Sequence, residues 1–320
     1  MSLPAVLRDQ LRLPLVGSPM FIVSNPELVI AQCTAGIVGA FPSLNARPQP
    51  ELRTWLERIS GALAKHDANH PDEPAAPYAV NLIVHKSNDR LYEDLALVEE
   101  YQVPIVITSL GAVTEVNERI HAYGGVVLHD VINNRFAKKA IEKGADGVIA
   151  VAAGAGGHAG TQSPFALVRE IRQWFDGPVV LSGSIATGDA VLAAQAAGAD
   201  LAYAGSVFIA TEEANAADGY KQMIVDSTAS DIVYTNLFTG VHGNYLRGSI
   251  EAAGLDPANL PESDPSAMDF GTGDEADAKA WRDVWGAGQG VGVVDAVRPV
   301  PVVVDRFVDE YAAARKRLGV

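Results

Sequence analysis

Cysteine is almost absent: Cys33 is the single one in 320 residues. An internal disulfide framework and a cysteine-based zinc site are therefore excluded, and a reducing compartment is permitted. No run of about 18 apolar residues occurs, so no segment reads as membrane-spanning. The N-terminal Met1-Ser2-Leu3-Pro4 leads into Arg8, Asp9 and Arg12 without a signal-peptide core, and a cytoplasmic protein is expected. Positive charge is scarce. Lys and Arg number 24 against 39 Asp and Glu, a formal charge of −15, which is a poor match for nucleic acid or an anionic membrane. Reactive spacings are missing too. No histidine pair has metalloprotease spacing, no acidic cluster has metal-loop spacing, and Ser182 is not in a Gly-x-Ser-x-Gly elbow. No metal site is expected.

What is present is a repeated βα unit in a chain that is 48% hydrophobic and 20% charged, the mix of a globular protein. Short apolar runs at 15–20, 37–41, 78–84, 104–109, 125–130, 147–151, 178–182 and 201–209 read as strands. Stretches of helical spacing lie between them, at 26–34, 50–65, 89–101, 113–122, 135–143, 165–174 and 189–197. Runs such as Val126-Val127-Leu128 are apolar on both faces, the habit of parallel strands covered by helices. Eight strands in strict alternation predict an α/β fold, a (β/α)8 TIM barrel. A doubly wound sheet is the competitor, but Gly17-Ser18-Pro19-Met20 lacks its glycine fingerprint. Residues 66–77 read as a polar, Pro-rich loop, and 251–283 hold nine acidic residues against Lys279 and Arg282. The expected division is a barrel of 1–234 and 291–320 with a small C-terminal cap or insertion of 235–290 over its mouth. A terminal amphipathic helix, 301–318, ends in Arg315-Lys316-Arg317, whose charge suits a helix C-terminus.

In such a barrel the working residues gather at the C-terminal ends of the strands. The sixth strand leads into Ala153-Gly154-Ala155-Gly156-Gly157-His158-Ala159-Gly160-Thr161, where His158 is the only ionisable side chain. Its neutral imidazole can accept a proton, so it is a candidate general base; the alternative is a mobile turn with a solvated histidine. The seventh strand gives Ser182-Gly183-Ser184 and the eighth Gly205-Ser206. Paired Gly/Ser loops there are where many barrels hold a phosphate on backbone N–H groups. The third strand offers Asn81, whose amide could face a heteroaromatic ring or cap a turn. His129 and Asp130 end the fifth strand on opposite faces, so at most one faces the axis. His66, His70, His85, His121 and His242 read as solvated, and Cys33 as packing. Tyr234, Phe238, His242, Tyr245 and Trp285 are aromatic candidates for the lining of the mouth.

Taken in order, Pro14–Met20, Ala79-Val80-Asn81-Leu82, Ala155-Gly156-Gly157-His158-Ala159-Gly160, Ser182-Gly183-Ser184, Gly205-Ser206-Val207-Phe208 and Trp285-Gly286-Ala287-Gly288-Gln289-Gly290 resemble the flavin-dependent nitronate monooxygenase (2-nitropropane dioxygenase) family, over about residues 14–294. The resemblance implies an FMN-binding barrel that oxidises nitronates or nitroalkanes with O2 to carbonyl compounds and nitrite. His158 would be the base. Ser18 and Met20 in the first loop, Asn81, Gly156 and Gly157 would contact the flavin, with Ser182, Gly183, Ser184, Gly205 and Ser206 about its phosphate end and Gln289 near the mouth. Partners would be a small nitronate or nitroalkane and O2, with homo-oligomerisation left open. The alternative within the same family is an FMN-dependent NAD(P)H:quinone or enoyl-thioester reductase. A non-enzymatic flavin-binding barrel is a third reading. Two departures are visible: Asp130 stands where many relatives carry lysine, and Val151 where many carry Gln or Asp.

Overall fold

The computed structural model describes residues 3–263 and 284–320. Eight parallel strands form one sheet: β1 (Leu15–Gly17), β2 (Gly39–Pro42), β3 (Tyr78–Ile83), β4 (Ile105–Ser109), β5 (Val126–Val131), β6 (Gly147–Val151), β8 (Val179–Ser182) and β9 (Leu201–Ala204). A two-residue strand, β7 (Gly157–His158), falls between the sixth and seventh of them and belongs to another sheet. β1 pairs β9 at one end, and the Val16–Val38 bridge joins β1 to the start of β2 at the other, closing the barrel. The TIM barrel expected from the alternation is the fold. Helices follow the strands at Pro26–Thr34, Glu51–Asn69, Leu91–Glu100, Thr114–Ala122, Asn134–Glu142, Pro164–Arg172 and Gly188–Ala197, each close to its predicted range.

Local chemistry sets the helix starts. Asn25, Asn133 and Thr187 each accept a backbone N–H three residues on, and Pro26 sits at a first-turn position where its missing N–H costs nothing. Two apolar layers hold the barrel. Inside, Val16, Val38, Ala79, Ile107, Leu128, Ile149, Val180 and Leu201 form one cluster, and Leu7 of the short helix Ala5–Arg8 packs into it. Outside, a larger cluster joins the opposite strand faces to the helices, including Val300–Leu318, which packs beside Gly188–Ala197. Truncating a fully buried side chain such as Ile107 to Ala costs about 2–5 kcal/mol.

Three boundaries differ from expectation. The first strand stops at Gly17, the second runs from Gly39, and the eighth ends at Ala204, with Ser206–Ile209 forming a helical turn. Residues 66–69, expected in a loop, extend the helix Glu51–Asn69. A three-stranded antiparallel sheet was not foreseen: β10 (Ile232–Thr235) pairs β11 (Gly243–Leu246), and β11 pairs β7. Of the acidic residues in 251–283, Asp264, Asp269, Asp274, Glu275, Asp277 and Asp283 lie outside the described residues. Among the described residues, no helix is long and apolar enough to cross a membrane.

Candidate active site

A cavity of about 1190 Å³ opens at the C-terminal ends of the strands. Its walls bring together Ser18, Met20, Asn81, Gly156, Gly157, His158, Ser182, Gly183, Ser184, Gly205 and Ser206, so the candidate base and these candidate flavin-contacting residues reach one hollow. Gln289 does not line it; its backbone N–H is bonded to Gly154 O at 2.9 Å.

The Gly-Gly-His loop is clamped rather than mobile. Gly160 N–H bonds Val151 O, Ala159 N–H bonds His242 O, and the buried Asn244 side chain donates to Ala155 O at 2.6 Å. β7 is therefore an edge of the small sheet, with His158 opposite Gly243. His158 Nε2 lies 2.9 Å from Thr239 Oγ1 in the β10–β11 connection. Burial lowers its pKa from 6.5 to about 4, so the imidazole is neutral and able to take a proton at physiological pH. The two loop glycines serve different ends. A Cβ on Gly156 would stand 2.8 Å from Gly288 N, so Gly156 lets the 286–290 segment cross closely. Gly157, at φ +63°, faces open space.

Beside this loop stand the loops after β8, β9 and β1. A Cβ on Gly205 would lie 3.3 Å from Ser18 Cβ and 3.5 Å from Met20 Sδ. Gly183 has φ +136°, and a Cβ there would meet Ala153 O at 2.7 Å, so only glycine fits. Among the described residues no turn or loop backbone bond takes the N–H of Gly205 or Ser206, whereas the pairing of Ser182 with Tyr203 directs the Gly183 N–H at the Tyr203 carbonyl. Ser206 Oγ accepts from Gly288 N–H at 2.8 Å.

The barrel floor carries a polar chain the sequence did not reveal. Asn81 Nδ2 donates to Ile107 O at 3.0 Å and to Ser109 Oγ at 2.8 Å. Ser109 donates to Asp130 Oδ2 at 2.5 Å, and Asp130 Oδ1 is buried with no partner. Asp130 continues the inward series of Val126 and Leu128, whereas His129 turns outward to Thr108 Oγ1 at 2.6 Å. The period-two register of neighbouring strands was the available signal for this layer. Thr239 had none, standing 81 residues from its histidine.

Other expectations need correction. His85 and His242 line the cavity instead of standing wholly in solvent, because their loops fold over its rim. His242 stacks on Tyr234 at 5.0 Å between centroids, and Tyr234 OH holds Ala159 O. Tyr234, Phe238 and Trp285 also line the cavity, but Tyr245 is fully buried in a separate small core with Ile250 and Val284. Cys33 is a packing residue: burial pushes its thiol up to about 12.

A hollow at this end of a parallel barrel, with a neutral imidazole on its wall, defines the class: a barrel enzyme acting on a small molecule. The family follows from comparison. The model named "Nitronate monooxygenase" matches residues 9–310, and the chain belongs to that family of oxidoreductases, whose members are generally FMN flavoproteins. It is 26% identical over 309 residues to the nitronate monooxygenase of Paraburkholderia phytofirmans, covering 83% of this chain and 82% of that one. It is 26% identical over 254 residues to a 5-hydroxy-7a-methyl-1-oxo-octahydro-1H-indene-4-carboxyl-CoA dehydrogenase of Rhodococcus jostii, covering 75% and 68%. Among solved structures, nitroalkane oxidase from Streptomyces ansochromogenes superposes with a TM-score of 0.82 at 25% identity, over 98% of this chain and 99% of that one.

Proposed function

We propose that the protein is an FMN-dependent nitronate monooxygenase that converts nitronates or nitroalkanes and O2 into carbonyl compounds and nitrite. The observation that carries this reading is His158, a neutral imidazole held on the wall of a ring-sized hollow by the small sheet. The neighbouring corner fits the phosphate end of a mononucleotide: the backbone N–H groups of Gly205 and Ser206 are taken by no turn or loop backbone bond, and Gly183 on the same lining admits no side chain. Ser182 and Ser184 add hydroxyls there. Asn81 has spent both amide hydrogens on protein, which leaves Oδ1 to accept from a ring N–H.

FMN, when bound, supplies the electron-accepting chemistry. The chain supplies position and one base. His158 takes the α-proton of a neutral nitroalkane, while a preformed nitronate needs no such step. Thr239 holds the imidazole in place, and the 286–290 segment covers one side of the hollow. Residues 235–290 act as a cap on a barrel of 1–234 and 291–320 in this reading. The purified protein is expected to be yellow and to release nitrite from a nitronate in air. His158→Ala keeps the flavin and the nitronate reaction but loses about 10²–10⁴ in the nitroalkane reaction. Normal nitroalkane turnover by that variant refutes the role of His158.

A second reading rests on size. A cavity of about 1190 Å³ exceeds what a flavin and a small nitroalkane need, and one relative is a CoA-ester dehydrogenase. Here a nicotinamide cofactor would reduce the flavin, which would pass hydride to a quinone or an enoyl thioester. Rapid anaerobic bleaching by NADH or NADPH, without nitrite release from nitronates, supports this reading over the first.

A further inference from the structure

We propose that Asp130 is a proton-holding residue in the cavity floor, which takes up a proton from solvent when negative charge arrives on a flavin ring bound there, its Oδ2 being fixed by the Asn81–Ser109 hydrogen bonds. The inference rests on the flavin reading above but assigns a role that reading does not use. Its first ground is the direction of the hydrogen bonds. An amide nitrogen can only donate, so Ser109 Oγ accepts from Asn81 at 2.8 Å and must turn its own hydrogen to Asp130 Oδ2. One Asn81 hydrogen goes to Ile107 O, and the other, with the Ser109 hydrogen, forms a line of donors running to Asp130. The second ground is Oδ1, buried and unpartnered. A carboxylate with one donor and a bare oxygen is costly in such a place, and a proton on Oδ1 removes the cost.

The surroundings agree. From β4 the carboxyl meets Ser109; from β6 come the apolar Ile149 and Val151; from β3 comes Asn81. From β9 comes the Tyr203 phenol, held neutral by burial, with the charge of Asp130 adding to the effect. On its own strand His129 turns outward to Thr108 and is kept neutral by burial, with Lys139 of the next helix adding a smaller push. Among the described residues no Lys or Arg pairs with Asp130. Burial raises its pKa from 3.8 to about 6, with the Ser109 hydrogen bond opposing.

Two electrons and one proton turn an oxidised flavin into its anionic reduced form. Where Asp130 starts ionised, a second proton enters from solvent and ends on its carboxyl, so two electrons arrive with two protons. The test is the reduction potential of FMN in the holoprotein, followed with mediators and dithionite across and above neutral pH. At fixed potential, the ratio of reduced to oxidised flavin should fall about a hundredfold per pH unit in the wild type and about tenfold in Asp130→Asn. Asp130→Glu should restore the steeper dependence. Ser109→Ala, which removes the donor that favours ionisation, should move the onset of the steep region to higher pH. Equal slopes in wild type and Asp130→Asn overturn the proposal while leaving the flavin reading intact. A wild type that binds no FMN overturns the flavin reading instead. The carboxyl band in infrared titration then decides the proposal: no Asp130-dependent band titrating near pH 6 would refute proton holding.

Discussion

Replacing Asp130 by Asn tests the energetics of the barrel floor through stability alone. In the unfolded chain the carboxyl titrates near 3.8, and in the folded protein near 6. Between those values the folded state binds more protons, so stability from the held proton is fully present below 3.8 and lost as pH rises through 6. The full difference corresponds to about 3 kcal/mol, of which the wild type forgoes about 2 kcal/mol at pH 8 relative to pH 4. Asn keeps an acceptor for Ser109 but cannot ionise. It also buries an amide that lacks a partner, a pH-independent cost of about 1–3 kcal/mol. The absolute change at one pH is therefore a poor readout, and the change with pH is the informative one. His129 and His158, both held near 4 by burial, lower stability as pH falls from 6.5 toward 4 in wild type and variant alike, and so drop out of the comparison. Urea unfolding at matched flavin content should show Asp130→Asn gaining about 2 kcal/mol on the wild type between about pH 4 and 8. A stability difference that stays flat over that range means Asp130 titrates as an ordinary carboxyl, and the account of the unpartnered Oδ1 is wrong.

Two further substitutions probe other parts of the cavity lining. Gly183→Ala forces a Cβ to 2.7 Å from Ala153 O at φ +136°, so FMN affinity should fall about tenfold or more with little change in the barrel's circular dichroism; unchanged FMN affinity would separate this loop from cofactor binding. Thr239→Val removes the hydroxyl 2.9 Å from His158 Nε2 and should slow nitroalkane oxidation several-fold, with Thr239→Ser restoring it and nitronate oxidation unaffected. Equal slowing of both substrates would show that Thr239 supports the fold rather than the base.

The alternation of apolar runs and helical spacing carried the barrel because each βα unit has a local period, and the Gly-Gly-His and Gly-Ser loops stood out as small residues at strand ends. The misjudged boundaries have local causes. Ser18 N–H still bonds Ala204 O, but the chain then turns, with Ser24 Oγ taking Met20 N–H, so an apolar run overstates β1. At 201–209 the run is continuous in the sequence, yet the chain leaves the sheet after Ala204 and coils through Ser206–Ile209. An apolar run alone cannot separate a buried strand from a buried helical turn. Ser109 was invisible because its importance depends on strand register against Asn81 and Asp130. The small sheet was invisible because β7 has only two residues, and its partner β11 lies more than 80 residues further along.

The electrostatics of the hollow differ from those of the chain that builds it. The protein carries a formal charge of −15, which by itself would repel a nitronate or a mononucleotide phosphate. Yet among the described residues lining the cavity Asp130 is the only carboxylic acid, and it shares the lining with Arg47 and Lys139. With His158 neutral and Asp130 protonated below about 6, the described walls carry net positive charge; ionising Asp130 adds one negative charge without reversing that sign. An anionic occupant therefore meets a more favourable field inside than at the surface, and the advantage narrows as Asp130 loses its proton. Among the described residues the other acidic groups stand away from the cavity lining, and the acid in its floor is placed where burial and a single serine hydroxyl decide its charge.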